Sequence, residues 1–186
     1  LLFSYAGLSA IMLGQYDVAV SILSRAIARA RRRKPMQNVD SLEAILSYAC
    51  LMMHEIEKAI GIIDSLLAKA STSVLTYAAF TAAKVLAYHY YLDGKIRQAH
   101  SVLLSWLPKN TDLGLVHNNC LAMPFMLEML GAFHRAGLPQ LLSNSIQQEI
   151  ETALSSPSQV LQAVAFREKA LLEENAHTAA SAKAMQ

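Results

Sequence analysis

Histidine and cysteine, the residue types most often found in catalytic and metal sites, show no functional spacing in this chain. Six histidines and two cysteines occur, but no HExxH, CxxC, GxSxG or phosphate-loop pattern does. His117 and Cys120 are close in sequence. A zinc site there would need two further ligands that the sequence does not place nearby. We therefore predict no catalytic residues, no metal site and no cofactor, and a chain that is not an enzyme.

The two cysteines, Cys50 and Cys120, lie in apolar helical contexts. Such surroundings are typical of buried free thiols in a reducing compartment and not of a disulfide framework. No segment has the layout of a secretory signal, so we expect a cytoplasmic chain. The most apolar stretch, residues 74–92, contains Lys84 and His89, which argues against a membrane span.

Basic residues are concentrated in one short segment. It contains Arg25, Arg29, Arg31, Arg32, Arg33 and Lys34, with no acidic residue among them. The other ten of the sixteen basic residues face fourteen acidic ones, so the net charge of +2 hides a local excess of positive charge. The candidate basic patch consists of Arg29, Arg31, Arg32, Arg33 and Lys34.

The basic patch has several interpretations. Cations near the C-terminal end of a helix are stabilised by its dipole, so a solvated face is the simplest one. An acidic partner, an acidic neighbouring domain and nucleic acid are the alternatives. Nucleic acid is a less favoured partner, because the run lacks the interleaved aromatic residues expected of a single-strand binder.

The composition is that of a well-buried helical chain. Apolar residues make up 54% and charged residues 16%, against about 25% charged in typical globular proteins. Either the domain buries much of its own surface, or a partner or further domain covers part of it. The sequence starts with leucine, and the apolar pattern of a helix begins at this first residue. We therefore interpret the chain as a piece of a larger protein with an open repeat edge.

Small residues recur at a fixed spacing and indicate how the helices are arranged. The positions forty residues apart are Ala19, Ala59 and Ala99, and also Gly7, Ser47 and Ala87. Such spacing is typical of stacked helical hairpins. We expect these positions to mark the closest helix approaches, where a larger side chain would cost ~1–3 kcal/mol. The next turn glycine, Gly137, lies 43 residues after Gly94, and Leu142 stands at the position equivalent to Ala99. The last third is therefore predicted to be a divergent repeat or a cap.

Apolar residues at helical spacing, interrupted by helix-breaking glycine and proline, predict antiparallel helix pairs. The pairs are residues 1–13 with 17–33, 41–53 with 57–69, and 73–92 with 96–107. Gly14 and Gly94 permit the turns inside hairpins, and Pro35 and Pro108 end second helices. Further helices are predicted at 115–136, started or kinked by Pro124, at 140–155 and at 158–175. The predicted organisation is three helix pairs over 1–107, divergent repeat or capping helices over 108–175, and a frayed or disordered tail over 176–186.

These residues resemble the tetratricopeptide repeat over roughly residues 1–107. The matching positions of the first unit are Phe3, Gly7, Gly14, Tyr16, Ala19, Leu23 and Ala26. In the second unit His54 stands where the family has the turn glycine. The period is forty where the family has about thirty-four, and the extra residues fall in loops, so HEAT-like repeats remain an alternative. The resemblance implies an all-α, right-handed solenoid of antiparallel helix pairs.

The same resemblance implies a concave groove lined by the first helix of each pair. The groove-lining candidates are Met12, Tyr48, Met52, Lys84, Tyr88 and Tyr91. The family's carboxylate-clamping cations are absent apart from Lys84. An apolar, aromatic groove suits a peptide or a partner helix with an apolar face. The alternative is that a neighbouring helix of the same chain fills the groove.

A shorter similarity covers the second half. Residues 126–130 and 132–139 are similar to repeat regions of some bacterial multidomain transcription regulators. The sequence thus predicts a protein–protein interaction scaffold. The alternative function is a sensory or regulatory domain of a transcription regulator whose basic patch contacts nucleic acid or an acidic partner. Self-association is a third possibility.

Overall fold

The computed structural model describes residues 2–32, 39–70, 77–106 and 124–184. All regular structure in these ranges is α-helical, which confirms the predicted all-α class. The helices are α1 (Leu2–Met12), α2 (Tyr16–Arg31), α3 (Val39–Met52), α4 (Ile56–Ala70), α5 (Tyr77–Leu92), α6 (Ile96–Trp106), α7 (Phe125–Arg135), α8 (Ile146–Leu154) and α9 (Gln159–Ala184). None of these helices has the length and apolar character needed to cross a membrane.

The chain divides into two compact units, Leu1–Asp93 and Gly94–Gln186. The first unit contains α1 to α5 and the second contains α6 to α9. The division falls in the turn between α5 and α6, whereas the sequence placed a boundary at residue 107. The predicted third helix pair is therefore shared between the two units.

In the first unit, each helix packs against its neighbours along the chain. Helix α3 lies at the centre and contacts α1, α2, α4 and α5, and α4 also packs against α5. Ion pairs tie the start of α3 to two helix ends, from Lys69 of α4 to Asp40 at 2.7 Å and from Arg31 of α2 to Glu43. The Lys69 pair runs from the last turn of α4 to the first turn of α3, as expected for an antiparallel pair.

The small residues forty apart are buried wherever they occur. Ala19, Ala59, Ala99, Ser47 and Ala87 are all fully buried. Gly7 shows the reason most clearly. A Cβ built there would lie 2.6 Å from Leu23 Cδ2, so any larger residue at position 7 would force the Leu23 side chain to move. The prediction of a close helix approach is confirmed at this position.

The turns that join α1 to α2, α3 to α4 and α5 to α6 share one backbone conformation. Each places a residue in the left-handed region, with φ of 71° at Gly14, 60° at His54 and 73° at Gly94. Glycine adopts this region without steric cost, but histidine does not. His54 is thus the strained member of the set.

Replacing His54 with glycine should raise the free energy of unfolding by about 0.5–1 kcal/mol, because the left-handed conformation then costs nothing. Chemical denaturation of the purified protein measures this change. Met53→Gly in the same exposed turn is the matched control. It lacks a left-handed conformation and should lower stability. If both variants shift stability alike, the turn is not strained at His54.

In the second unit, α9 packs against α7 and α8, and α6 contacts α7. Pro124 is the N-cap of α7, in agreement with a helix start there. Helix α8 begins at Ile146 and not near residue 140 as predicted. Ser145 caps it through a capping box with Gln148, which leaves residues 138–145 as a loop.

Helix α9 continues to Ala184, whereas the sequence predicted a frayed tail from residue 176. The tail is rich in alanine, the residue with the highest helix propensity. A helix already nucleated over its packed first half can extend through such residues at little cost. The prediction of a frayed tail is therefore wrong for residues 176–184. Low burial alone does not end a helix that is rich in alanine.

Candidate interaction surfaces

The predicted groove is only partly accessible. Met12 is exposed, and Met52 and Tyr91 are half-buried. In contrast, Tyr48, Tyr88 and Lys84 are 5%, 8% and 0% exposed. Three of the six side chains predicted to line the groove are thus buried in this structure. Such burial is expected in the alternative in which a neighbouring helix of the same chain fills the groove.

Aromatic rings connect three helices of the first unit. Tyr16 at the start of α2 meets Tyr48 of α3 edge-on, with ring centroids 6.4 Å apart. Tyr48 meets Tyr88 of α5 at 6.1 Å, and Tyr88 stacks on Tyr91 at 5.8 Å. Aromatic pairs at these separations stabilise packing beyond their buried area. These tyrosines therefore act first as core residues that align α3 with α5.

Lys84 is the most deeply buried cation of the described residues. Its Nζ lies 4.8 Å from the centroid of the Phe80 ring, one helical turn earlier. A desolvated cation over an aromatic face gains more from the ring than an exposed one does. Lys84 was predicted to face a ligand, but its burial gives it a structural place in the α5 interior.

A second surface of the first unit is open and positively charged. We call it the arginine groove. It is lined by Phe3, Ile22, Arg25, Ala28, Arg29 and Arg32, and its volume is about 450 Å³. Its three arginines follow a spacing of four and three residues, which places them on one face of α2. All three are exposed.

The three groove arginines have no carboxylate partner among the residues that the structure describes. Arg31, on another face of α2, pairs with Glu43 of α3 and so has a structural role. The predicted basic patch therefore divides in two. Arg29 and Arg32 belong to the groove, Arg31 holds α2 to α3, and Arg33 and Lys34 lie outside the described residues.

Sequence reasoning missed Arg25 and Phe3 as parts of this surface. The basic patch was chosen as a continuous run, and Arg25 stands four residues before it. The signal that could have found Arg25 is helical period, since residues 25, 29 and 32 lie on one face. Phe3 could not be found in this way, because it comes from the neighbouring helix α1.

A buried ionic cluster connects α7 to α9 in the second unit. Glu168 is 0% exposed, and its carboxylate accepts from Arg135 at 2.5 Å and from Arg167 at 3.0 Å. Arg167 also pairs with Glu128 at 3.2 Å. Burial raises the pKa of the Glu128 carboxyl, and the charge of Arg167 opposes this shift. Two cations and two carboxylates thus compensate each other's charge, with Glu168 buried and the Arg167 side chain 52% exposed.

Gly131 of α7 provides the space for this cluster. A Cβ at that position would lie 2.1 Å from Glu168 Oε2 and 3.0 Å from an Arg135 guanidinium nitrogen. The carboxylate therefore occupies the place where any other residue would put its side chain. The pairs of Arg135 with Glu168 and of Arg167 with Glu128 link residues more than thirty apart in sequence, so no local pattern predicted them.

The remaining candidate residues for catalysis or metal binding are Cys50, Cys120 and His117. Cys50 is buried, and desolvation raises the pKa of its thiol, as suits an inert core cysteine. Cys120 and His117 lie outside the described residues. Among the residues that the structure describes, no three histidine, cysteine or acidic side chains are grouped as metal ligands.

Comparison of the chain with models of known families, with curated proteins and with solved structures finds no match.

Proposed function

We propose that this chain is a cytoplasmic helical-repeat module that binds another protein, with its helix pairs stacked as a right-handed solenoid. The ring contact between Tyr48 and Tyr88 supports the stacking, because these residues are forty apart and occupy equivalent positions. Repeats stacked in register bring equivalent residues of consecutive units together. Such stacks present extended surfaces, and binding is their usual activity.

The arginine groove is the surface proposed for the partner. Arg25, Arg29 and Arg32 carry positive charge that no described carboxylate compensates, around an apolar floor that includes Phe3 and Ile22. Arginine forms strong, bidentate hydrogen bonds with carboxylates. We therefore propose that the partner presents an acidic segment with at least one apolar or aromatic side chain. The unpaired arginines are the observation that carries this proposal.

A protein segment fits this groove better than nucleic acid does. The floor is apolar, which suits side chains, while a phosphate backbone would leave it unused. Outside the basic segment the chain has fourteen acidic and ten basic residues. This net negative charge would repel a long nucleic acid. The regulatory alternative, in which the patch contacts nucleic acid, is retained as an outcome of the experiment below.

The concave groove is the weaker candidate for the same function. Of its predicted residues, Met12, Met52 and Tyr91 retain accessible surface, while the others are buried. A partner bound there would contact these three side chains. It would not reach Lys84, which is fully buried.

The double variant Arg29→Gln/Arg32→Gln should bind a short glutamate-rich peptide with one central phenylalanine about tenfold more weakly than the wild type. Two surface charge contacts of ordinary strength account for that change. Fluorescence anisotropy with a labelled peptide measures it. The matched control is Arg97→Gln/Lys169→Gln, which removes the same charge from exposed helical positions of the second unit.

Equal loss of peptide affinity in both double variants would mean that net charge alone matters, and it would contradict a specific groove. An oligothymidylate of matched charge is titrated in parallel. If the oligonucleotide binds the wild type more tightly than the peptide does, and this binding is lost in Arg29→Gln/Arg32→Gln, the nucleic-acid alternative replaces the proposal.

A further inference from the structure

A partly open cavity lies in the second unit, between α7, α8 and the loop that joins them. Its volume is about 60 Å³, which is room for about five non-hydrogen atoms, since one water needs roughly 10–15 Å³. Much of the wall is apolar and includes Phe133, Leu138 and Ile146. A space of this size admits only a very small molecule, and its apolar wall suits a short hydrocarbon chain.

One acidic side chain in this cavity lacks full compensation. Glu149 is 2% exposed, and its Oε1 accepts a hydrogen bond from Asn144 Nδ2 at 2.9 Å. Its Oε2 has no hydrogen-bond partner in the part of the chain that the structure describes. Burial raises the pKa of the Glu149 carboxyl, and the hydrogen bond from Asn144 opposes this. Buried polar atoms of native proteins are nearly always paired, so this oxygen requires an explanation.

The loop around Glu149 is held in place by its own hydrogen bonds. Gln140 Nε2 donates to the carbonyl oxygens of Leu142 and Asn144, at 2.6 and 2.5 Å. A ring nitrogen of His100, on α6, lies 2.8 Å from the carbonyl oxygen of Pro139. These contacts fix the loop at its start and at its end. The loop beside Glu149 is therefore held in one defined conformation.

We propose that this cavity binds a small organic cation, a primary ammonium with a short apolar chain, whose N–H groups donate to the carboxylate of Glu149, a residue of the cavity wall. The ammonium would supply the missing donor and compensate the charge of the carboxylate. The chain would lie against Phe133 and Leu138, away from water. The site belongs to the second unit, so it does not depend on the arginine groove.

n-Butylammonium, with five non-hydrogen atoms, is a probe that matches the cavity, and 1-butanol is its uncharged counterpart. The experiment is an NMR titration of protein carrying ¹³C-labelled glutamate. We expect a saturable shift of the Glu149 carboxyl signal with n-butylammonium, at the millimolar affinity that a ligand of this size can reach. Little change is expected with 1-butanol, and Glu151, exposed on the same helix, serves as the internal control.

Glu149→Gln should weaken n-butylammonium binding at least tenfold, while Glu151→Gln should leave it unchanged. Equal shifts with n-butylammonium and 1-butanol would overturn the proposal, because the site would then not select a cation. The same conclusion follows if the Glu149 signal moves no more than that of Glu151. Both comparisons use the wild-type protein, so they decide the matter even if Glu149→Gln does not fold.

Discussion

Gly131→Ala should lower the free energy of unfolding of the second unit by about 3 kcal/mol. The new methyl carbon would stand 2.1 Å from Glu168 Oε2, closer than any contact that real side chains make. Overpacking alone costs ~1–3 kcal/mol. Here the atom that must move is a buried carboxylate oxygen bonded to Arg135. Its displacement also weakens an ion pair that solvent cannot replace.

The matched control for this experiment is Gly61→Ala in α4. Gly61 is helical and exposed, and a Cβ there would meet nothing within 4 Å. That variant should be up to ~1 kcal/mol more stable than the wild type, because alanine is the better helix former. Urea denaturation measures both variants. Stabilisation of Gly131→Ala, as at Gly61, would contradict the placement of Glu168 against α7.

Removing one member of the buried ion pair should cost more than removing both. Arg135→Met leaves Glu168, which is fully buried, without one of its two cations. We expect a loss of about 3 kcal/mol, since an uncompensated buried charge is strongly destabilising. The double variant Arg135→Met/Glu168→Met should recover much of this loss, because apolar residues of similar volume often replace a buried ion pair without penalty.

The pair of Arg167 with Glu128 remains in that double variant and balances its own charge. A double-mutant cycle from urea denaturation, with Glu168→Met as the second single variant, gives the coupling energy. Additive losses would show that Arg135 and Glu168 act independently and would contradict the cluster described above.

Local signals in the sequence predicted most of the helices. The signals that locate helices and turns are apolar residues at helical period, Gly14, Gly94 and Pro124, all of which act between residues close in sequence. The same kind of signal was present but overlooked before α8. The sequence predicts a helix from residue 140, although Ser145 and Gln148 form a capping box a few residues later, which starts the helix at Ile146. The loop that shapes the Glu149 cavity was lost with that choice.

The interaction surfaces were harder to predict because they depend on contacts between distant residues. The groove candidates were assigned by position in a repeat, which says nothing about what covers Tyr88 or Lys84. The place of Glu168 depends on Gly131, thirty-seven residues earlier and on another helix. Phe3 joins Arg29 only once α1 folds against α2. Such contacts form only in the packed structure, and no pattern among neighbouring residues of the sequence indicates them.

The central claim is that the unpaired arginines of α2 form the binding surface. The most direct test is titration of the glutamate-rich peptide against the wild type and Arg29→Gln/Arg32→Gln at low and high salt. We expect tighter binding by the wild type, with the difference between the two proteins shrinking as salt screens the charges. Equal affinity of the two proteins for the peptide at low salt would contradict it.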